Sequence, residues 1–388
     1  AAAISKQALN GATLDVVWNL TLAANIISAN VQYGQIEKIK EVAGVQEVIL
    51  ENRYEPCVVK QEETADPNMA TSDKMIGSSA AWAAGYTGAG SRIAIIDTGA
   101  DVDHPSLDPD ALKYALQGSN ATIMTEADLT DEVLNQLNAY TRKAGLTAAD
   151  FYVNEKIPFG FNYVDADTDI THDNDTQGDH GSHVTGIAAG NRFVKDEAGN
   201  YVAALDSVMT QGVAPDAQIL TMKVFGKRGG AYDSDYMVAI EDAMVLGADA
   251  ANLSLGGSFP GYSEYTEEKY RHILDEIVGS GMVVTISAGN SGSWFDQTAF
   301  GLPYAGSVNW ATNGSPGSYV NSLCVASVDN AGVTDNYLKV KGHNMTYTEK
   351  SYQNKPIYTI GGSHEYIYLD KIGTAEEFAA VKDVLAGK

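Results

Sequence analysis

Three short stretches hold the residue types that proton and acyl transfer need. The apolar, β-branched run "RIAIID" (92–97) ends in Asp97, "GDHGSHVTGIAAGN" (178–191) sets His180 ahead of a run of small residues, and "TISAGN" (285–290) ends in Asn290. A carboxylate at a strand end can orient a neighbouring group, or it can simply cap the next turn. A histidine at a helix amino terminus is disfavoured as a cation by the helix dipole, which leaves its imidazole neutral and able to accept a proton. An amide NH2 held at Asn290 can donate to an oxygen that turns negative during acyl transfer, worth ~3 kcal/mol at the transition state. The same Asn after Gly also makes an ordinary turn. His180 and His183 lie one helical turn apart, as in a partial zinc site, but the acid of an H-E-x-x-H helix is absent.

These residues need a scaffold that brings strand ends together. From about residue 76 to 328, β-branched runs alternate with helical patterns. "RIAIID", "QILTMKVF", "AANLSL" and "GMVVTISAGN" read as parallel strands, and "GSHVTGIAAG", "DSDYMVAIEDAMVLG" and "EEKYRHILDEIVGSG" as crossover helices. That alternation predicts an α/β fold with a doubly wound, mostly parallel sheet, whose carboxyl edge collects ligands and reacting groups. Before it, residues 1–60 read as helix, strand, helix, strand ("AAAISKQALN", "LDVVWNLTLAANIISANV", "GQIEKIKEVAG", "VQEVIL"), a small α+β unit lacking its first strand. Residues 61–75 are a charged linker, and "MTEADLTDEVLNQLNAYTRKAGL" reads as a helical surface insertion.

The charge excludes some partners. Fifty Asp and Glu against 25 Lys and Arg give a net charge of −25, which opposes binding to nucleic acid or anionic membrane. Cys57 and Cys324 are the only cysteines, too few for a disulfide framework. No apolar run approaches the ~20 residues of a membrane span.

Taken jointly and in order, I-I-D-T-G at Asp97, H-G-S-H-V-T-G at His180 and S-A-G-N at Asn290 closely resemble the catalytic segments of the subtilisin-like serine proteases, the subtilases. The resemblance implies a serine endopeptidase acting on polypeptides. Asp97 would orient His180, His180 would take the nucleophile's proton, and Asn290 would help hold the oxyanion. It also makes "NLSLGG" (Ser254, Leu255, Gly256) one edge of the substrate cleft and "FGKRGGAY" (Gly229, Gly230) the other, with an extended peptide bonded between them. By the same resemblance residues 1–60 are a ferredoxin-like propeptide. Residues 329–388 open a protease-associated insertion, in which "DVLAGK" leads into a strand. The resemblance further implies an enzyme that is secreted or attached to the cell envelope.

One family feature is missing from the sequence. The nucleophile motif G-T-S-M-A-x-P does not occur, and Ser78 and Ser79 in "IGSSAAW" have neither its neighbours nor its place. The expectation is a chain that is inactive alone and continues beyond Lys388, or that pairs with a second fragment carrying the serine. The alternative is an inactive subtilase core that binds or inhibits other proteins. No cofactor is required, and calcium is an optional structural ion. Asp165, Asp167 and Asp169 in "DADTDITHDND" suit either a hard cation or a solvated acidic loop, without the Gly and Glu of an EF-hand. Ser106 stands where compact subtilases carry an Asp ligand.

Overall fold

The computed structural model describes residues 1–56, 72–208, 210–227, 229–257, 264–290, 314–319, 323–328, 337–346, 362–365 and 375–385. The chain divides into two compact units, residues 1–333 and 334–388.

In the first unit the leading segment forms β1 (Asp15–Leu20), β2 (Ile26–Asn30) and β3 (Arg53–Pro56), with short helices Ala2–Gln7 and Ile36–Lys40. β1 and β2 make an antiparallel hairpin, so the long strand-like run 14–31 is two strands with a turn between them. Residues 45–50 form no strand and β3 pairs elsewhere. The sheet of a ferredoxin-like unit is therefore not formed among the described residues.

The remainder of this unit holds β4 (Arg92–Asp97), β5 (Phe159–Asn162), the hairpin β6 (Phe193–Lys195) and β7 (Tyr201–Ala203), β8 (Gln218–Lys223) and β9 (Ala231–Tyr232). It continues through β10 (Ala250–Leu253), β11 (Leu255–Gly256), β12 (Val283–Ser287) and β13 (Leu323–Val325). Six of these strands build one wholly parallel sheet in the order β13-β12-β10-β4-β8-β5.

Side-chain alternation along β4 explains why both faces are covered. Ile95 packs with Ile219 and Ala189 in one buried cluster, below the helix His180–Ala189. Ala94 and Ile96 join Leu220, Met222, Val238, Ile273 and Ile277 in another, under the helices Asp233–Val245 and Glu264–Ser280. A strand buried on both sides reads as a continuous apolar run, which is what β4 and β8 are. β4 is central: the chain places β5 and β8 on one side of it, then β10, β12 and β13 on the other. That reversal is a topological switch point, where an open α/β sheet leaves a crevice at its carboxyl edge.

The insertion after β4 is less superficial than its composition implies. It forms short helices at Asp131–Leu134, Asn138–Arg142 and Ala148–Phe151, and Leu134, Leu137 and Phe151 are buried. In the second unit, β14 (Tyr337–Val340) and β15 (His343–Thr346) form an antiparallel hairpin. Residues 375–385 are a helix, so the first three residues of "DVLAGK" are helical and the last three lie outside the described residues. Of the linker, residues 72–75 lie in the helix Ser72–Ile76 and 61–71 lie outside the described residues, as do 57–60 with Cys57.

Candidate active site

Asp97 is the last residue of β4 and fully buried. One carboxylate oxygen accepts the Thr98 amide at 2.7 Å and lies 2.8 Å from Nδ1 of His180. A buried carboxylate accepting from Nδ1–H selects the imidazole tautomer whose acceptor lone pair lies on Nε2. His180 opens the helix His180–Ala189, and its side chain is 13% exposed. The pair is thus a fixed acid and a reachable base, although 83 residues separate them in the chain.

Backbone contact sets their spacing. The Gly181 amide donates to Thr98 Oγ1 at 2.8 Å, and a Cβ at Gly181 would run into the Gly99 carbonyl oxygen and amide. Gly99 has φ of +104°, and a Cβ there would strike the Ile170 carbonyl. The small residues that admit close approach are therefore Gly181 and Gly190, while Gly186 faces open space. Gly181→Ala should push the helix start away from β4 and lengthen the Asp97–His180 bond, read as an upfield shift of the His180 Nδ1 proton resonance. Gly186→Ala, the control, should leave it unchanged.

Lys223 escaped the reading of the sequence, although it is the one charge in the apolar run "QILTMKVF". It is the register partner of Asp97 at the end of β8, and its Nζ donates to the Thr98 carbonyl at 2.6 Å and to Asp175 at 2.5 Å. It ties the loop after the acid to the loop before the base.

Asn290 follows β12 by three residues and is exposed, at the same sheet edge as Asp97. Only β10 separates β12 from β4, which puts the two strand axes about 10 Å apart. His183 is exposed and Ser78 donates to the Asp73 carbonyl. Ser106 Oγ lies 2.7 Å from His104 Nδ1. In the acidic loop Asp165 accepts from Asn162 and the Lys227 amide, Asp167 from the Asp169 amide, and Asp169 from Thr171 and Asn174. Burial opposes the charge of Asp169, yet the Thr171 and Asn174 bonds hold it below the usual carboxylate range. Among the described residues no three His, Cys, Asp or Glu converge as metal ligands.

The two cleft-edge segments are joined by a third strand. β3 pairs antiparallel with β9 through Arg53–Tyr232 and Tyr54–Ala231, and with β11 through Glu55–Gly256 and Pro56–Leu255. Gly230 is what admits it, since a Cβ there would overlap the Tyr54 carbonyl; Gly229, at φ +102°, faces Arg53. Ser254 accepts from Asn252 and redirects the chain between β10 and β11.

The helix Asp233–Val245 holds the leading segment and the insertion through carboxylates. Asp233 accepts from the Asn52 amide and the Tyr54 and Tyr236 hydroxyls. Asp235 accepts from Trp18, and Asp242 from the Asn138 and Ala139 amides and Tyr163. Burial outweighs these donors and pushes Asp233 and Asp235 up to about 6 and Asp242 to about 7. Their folded values are raised, so the stability they confer is full below the unfolded carboxylate range near ~4 and is lost as pH rises through 6 to 7. Buried Lys156, pushed down to about 7, acts only above that pH, where it makes stability rise. The thermal midpoint of the chain should therefore fall between pH 5 and pH 7. A rise over that interval, followed by circular dichroism, would contradict the assignment.

The sequence model of the Subtilase family matches residues 88–375. The chain belongs to the subtilase family. The PI-type proteinase of Lactococcus lactis subsp. cremoris is 32% identical to this subtilase over 80% of the chain and 14% of its own length. The minor extracellular protease Vpr of Bacillus subtilis (strain 168) is 28% identical over 87% of the chain and 32% of its length. The C5a peptidase of Streptococcus pyogenes is 26% identical over 77% and 23%. The subtilase chain thus spans about a seventh to a third of the relatives it matches. Among the described residues no helix is long and apolar enough to cross a membrane.

Proposed function

We propose that this chain carries the acid, the base and one oxyanion donor of a secreted serine endopeptidase, with the nucleophilic serine supplied by a polypeptide segment outside this sequence. The observation that carries the reading is the buried Asp97 bonded to the accessible His180 at 2.8 Å, beside an edge that pairs with an extended strand. His180 Nε2 takes the serine proton as Oγ attacks the peptide carbonyl, and the Asn290 amide donates to the oxygen that becomes negative. Collapse expels the amine, which takes that proton from His180. Water then attacks the acyl-enzyme with the same base.

On this reading Ser254–Gly256 and Gly229–Gly230 bind the substrate backbone, and β3 occupies their groove as the end of a propeptide spanning residues 1–60. Residues 61–75 are its linker to the core at 76–328, and 329–388 begin a protease-associated insertion. Vpr's description as extracellular supports export.

The test is fluorophosphonate labelling of the native material, with mass spectrometry of each polypeptide. Label is expected on a serine beyond residues 1–388, whether on a longer form of the chain or on a bound second fragment, and His180→Ala should remove it. A preparation that never labels overturns the reading. It favours the alternative of a binding or inhibitory core, which draws its support from the absence of a G-T-S motif.

A further inference from the structure

We infer that the insertion at residues 124–151 is the element by which the core recognises its own leading segment, through a pocket that takes the indole of Trp18. The inference rests on the reading of residues 1–56 as a separable propeptide.

The leading segment faces two ways. Leu14, Val16 and Ala29 pack with Ala8, Leu9, Ile39 and Val42 in a small core of its own. Trp18 and Leu20, on the same strand, are 2% and 0% exposed and belong instead to the large cluster that contains Leu134, Leu137 and Tyr163. A β-bulge separates the two groups: Val16 pairs with Ala29 and Trp18 with Ser28, leaving Val17 extra. One additional residue reverses which side chains face which side, so the bulge is what turns Trp18 out of its own core.

Three elements receive it. The Trp18 indole N–H donates to Asp235 at 2.7 Å, the Tyr163 ring lies 5.8 Å away, and the Arg142 guanidinium stands 5.5 Å over the indole. Arg142 ends the insertion helix Asn138–Arg142. A cation over a buried indole is a directional contact that a smaller or aliphatic side chain does not reproduce. A second observation joins the same two partners. Glu241, fully buried, receives the Ala23 amide on one oxygen at 2.8 Å and Asn138 of the insertion on the other at 3.0 Å. The turn of the leading hairpin and the insertion thus share one carboxylate.

The experiment uses the whole chain, with a site for a specific protease placed within residues 57–71. After cleavage, retention of the leading piece on the rest is measured against dilution. Arg142→Ala should weaken retention about fivefold to tenfold and Trp18→Ala at least ~30-fold, with Trp18→Phe between the wild type and Trp18→Ala. Arg142→Ala is decisive, because it changes the core and cannot unfold the leading piece; Lys143→Ala, one residue on, is the neutral control. Wild-type retention in Arg142→Ala overturns the proposal alone, whatever Trp18→Ala does. A cut wild-type chain whose core unfolds when the leading piece departs overturns the proposal together with the reading beneath it.

Discussion

Replacing His180 with alanine in a serine-bearing parent enzyme is expected to lower kcat on a peptide substrate by a factor on the order of 10⁵ to 10⁶, with little change in KM. On the proposed reading His180 is the base, because its Nδ1–H donates to the buried Asp97 carboxylate while its side chain is reachable from the cleft. Asp97→Asn is expected to cost about 10⁴, for a different reason. The carboxylate oxygen serves both the Thr98 amide and His180. An asparagine can set its Oδ1 in that place, but it then offers no negative charge to the imidazolium that forms and buries its NH2 where Asp97 Oδ2 has no hydrogen-bond partner; turned over, its NH2 faces the Thr98 amide and selects the wrong imidazole tautomer. Steady-state kinetics of the two variants checks both figures, and a loss below tenfold for His180→Ala would remove it from the chemistry.

Lys223→Met is expected to destabilise the chain by about 3–5 kcal/mol, although it touches no substrate. Lys223 and Asp175 are 1% and 3% exposed, so deleting the cation strands a carboxylate in a place water cannot reach. The pair itself is worth far less than its disruption. Hence Lys223→Met combined with Asp175→Asn should recover more than half of the loss, as read from urea midpoints at constant m. Equal destabilisation by the single and double variants would mean that the lysine acts through packing alone.

The sequence showed the core of this fold where burial is two-sided. "RIAIID" and "QILTMK" are strands because a continuous β-branched run has no solvent face to mark. It misled where pairing depends on a partner: "VQEVIL" has strand composition but pairs with no strand among the described residues, and "FGFN" at β5, only four residues long with a glycine, went unread. "AANLSL" looked like one strand, yet Ser254 divides it so that Leu255 and Gly256 serve a different sheet. For the candidate site, the motifs marked Asp97 and His180 but not what spaces them. Gly181 and Lys223 act through contacts between loops far apart in the chain, and no local pattern reports those. The bulge at Val17 is invisible for the same reason, since it exists only relative to β2.

The seat of β3 between two edges also decides how its occupant can depart. Tyr54 is 1% exposed, edge-on to Tyr236 at 5.4 Å and bonded to Asp233, while Arg53 and Glu55 on either side point to solvent. Sliding by one residue would drive a charged side chain into the tyrosine slot and invert every facing. The strand is keyed like a tooth in a rack: it cannot thread along the groove in either direction, and leaves only by lifting off sideways, both ladders opening together.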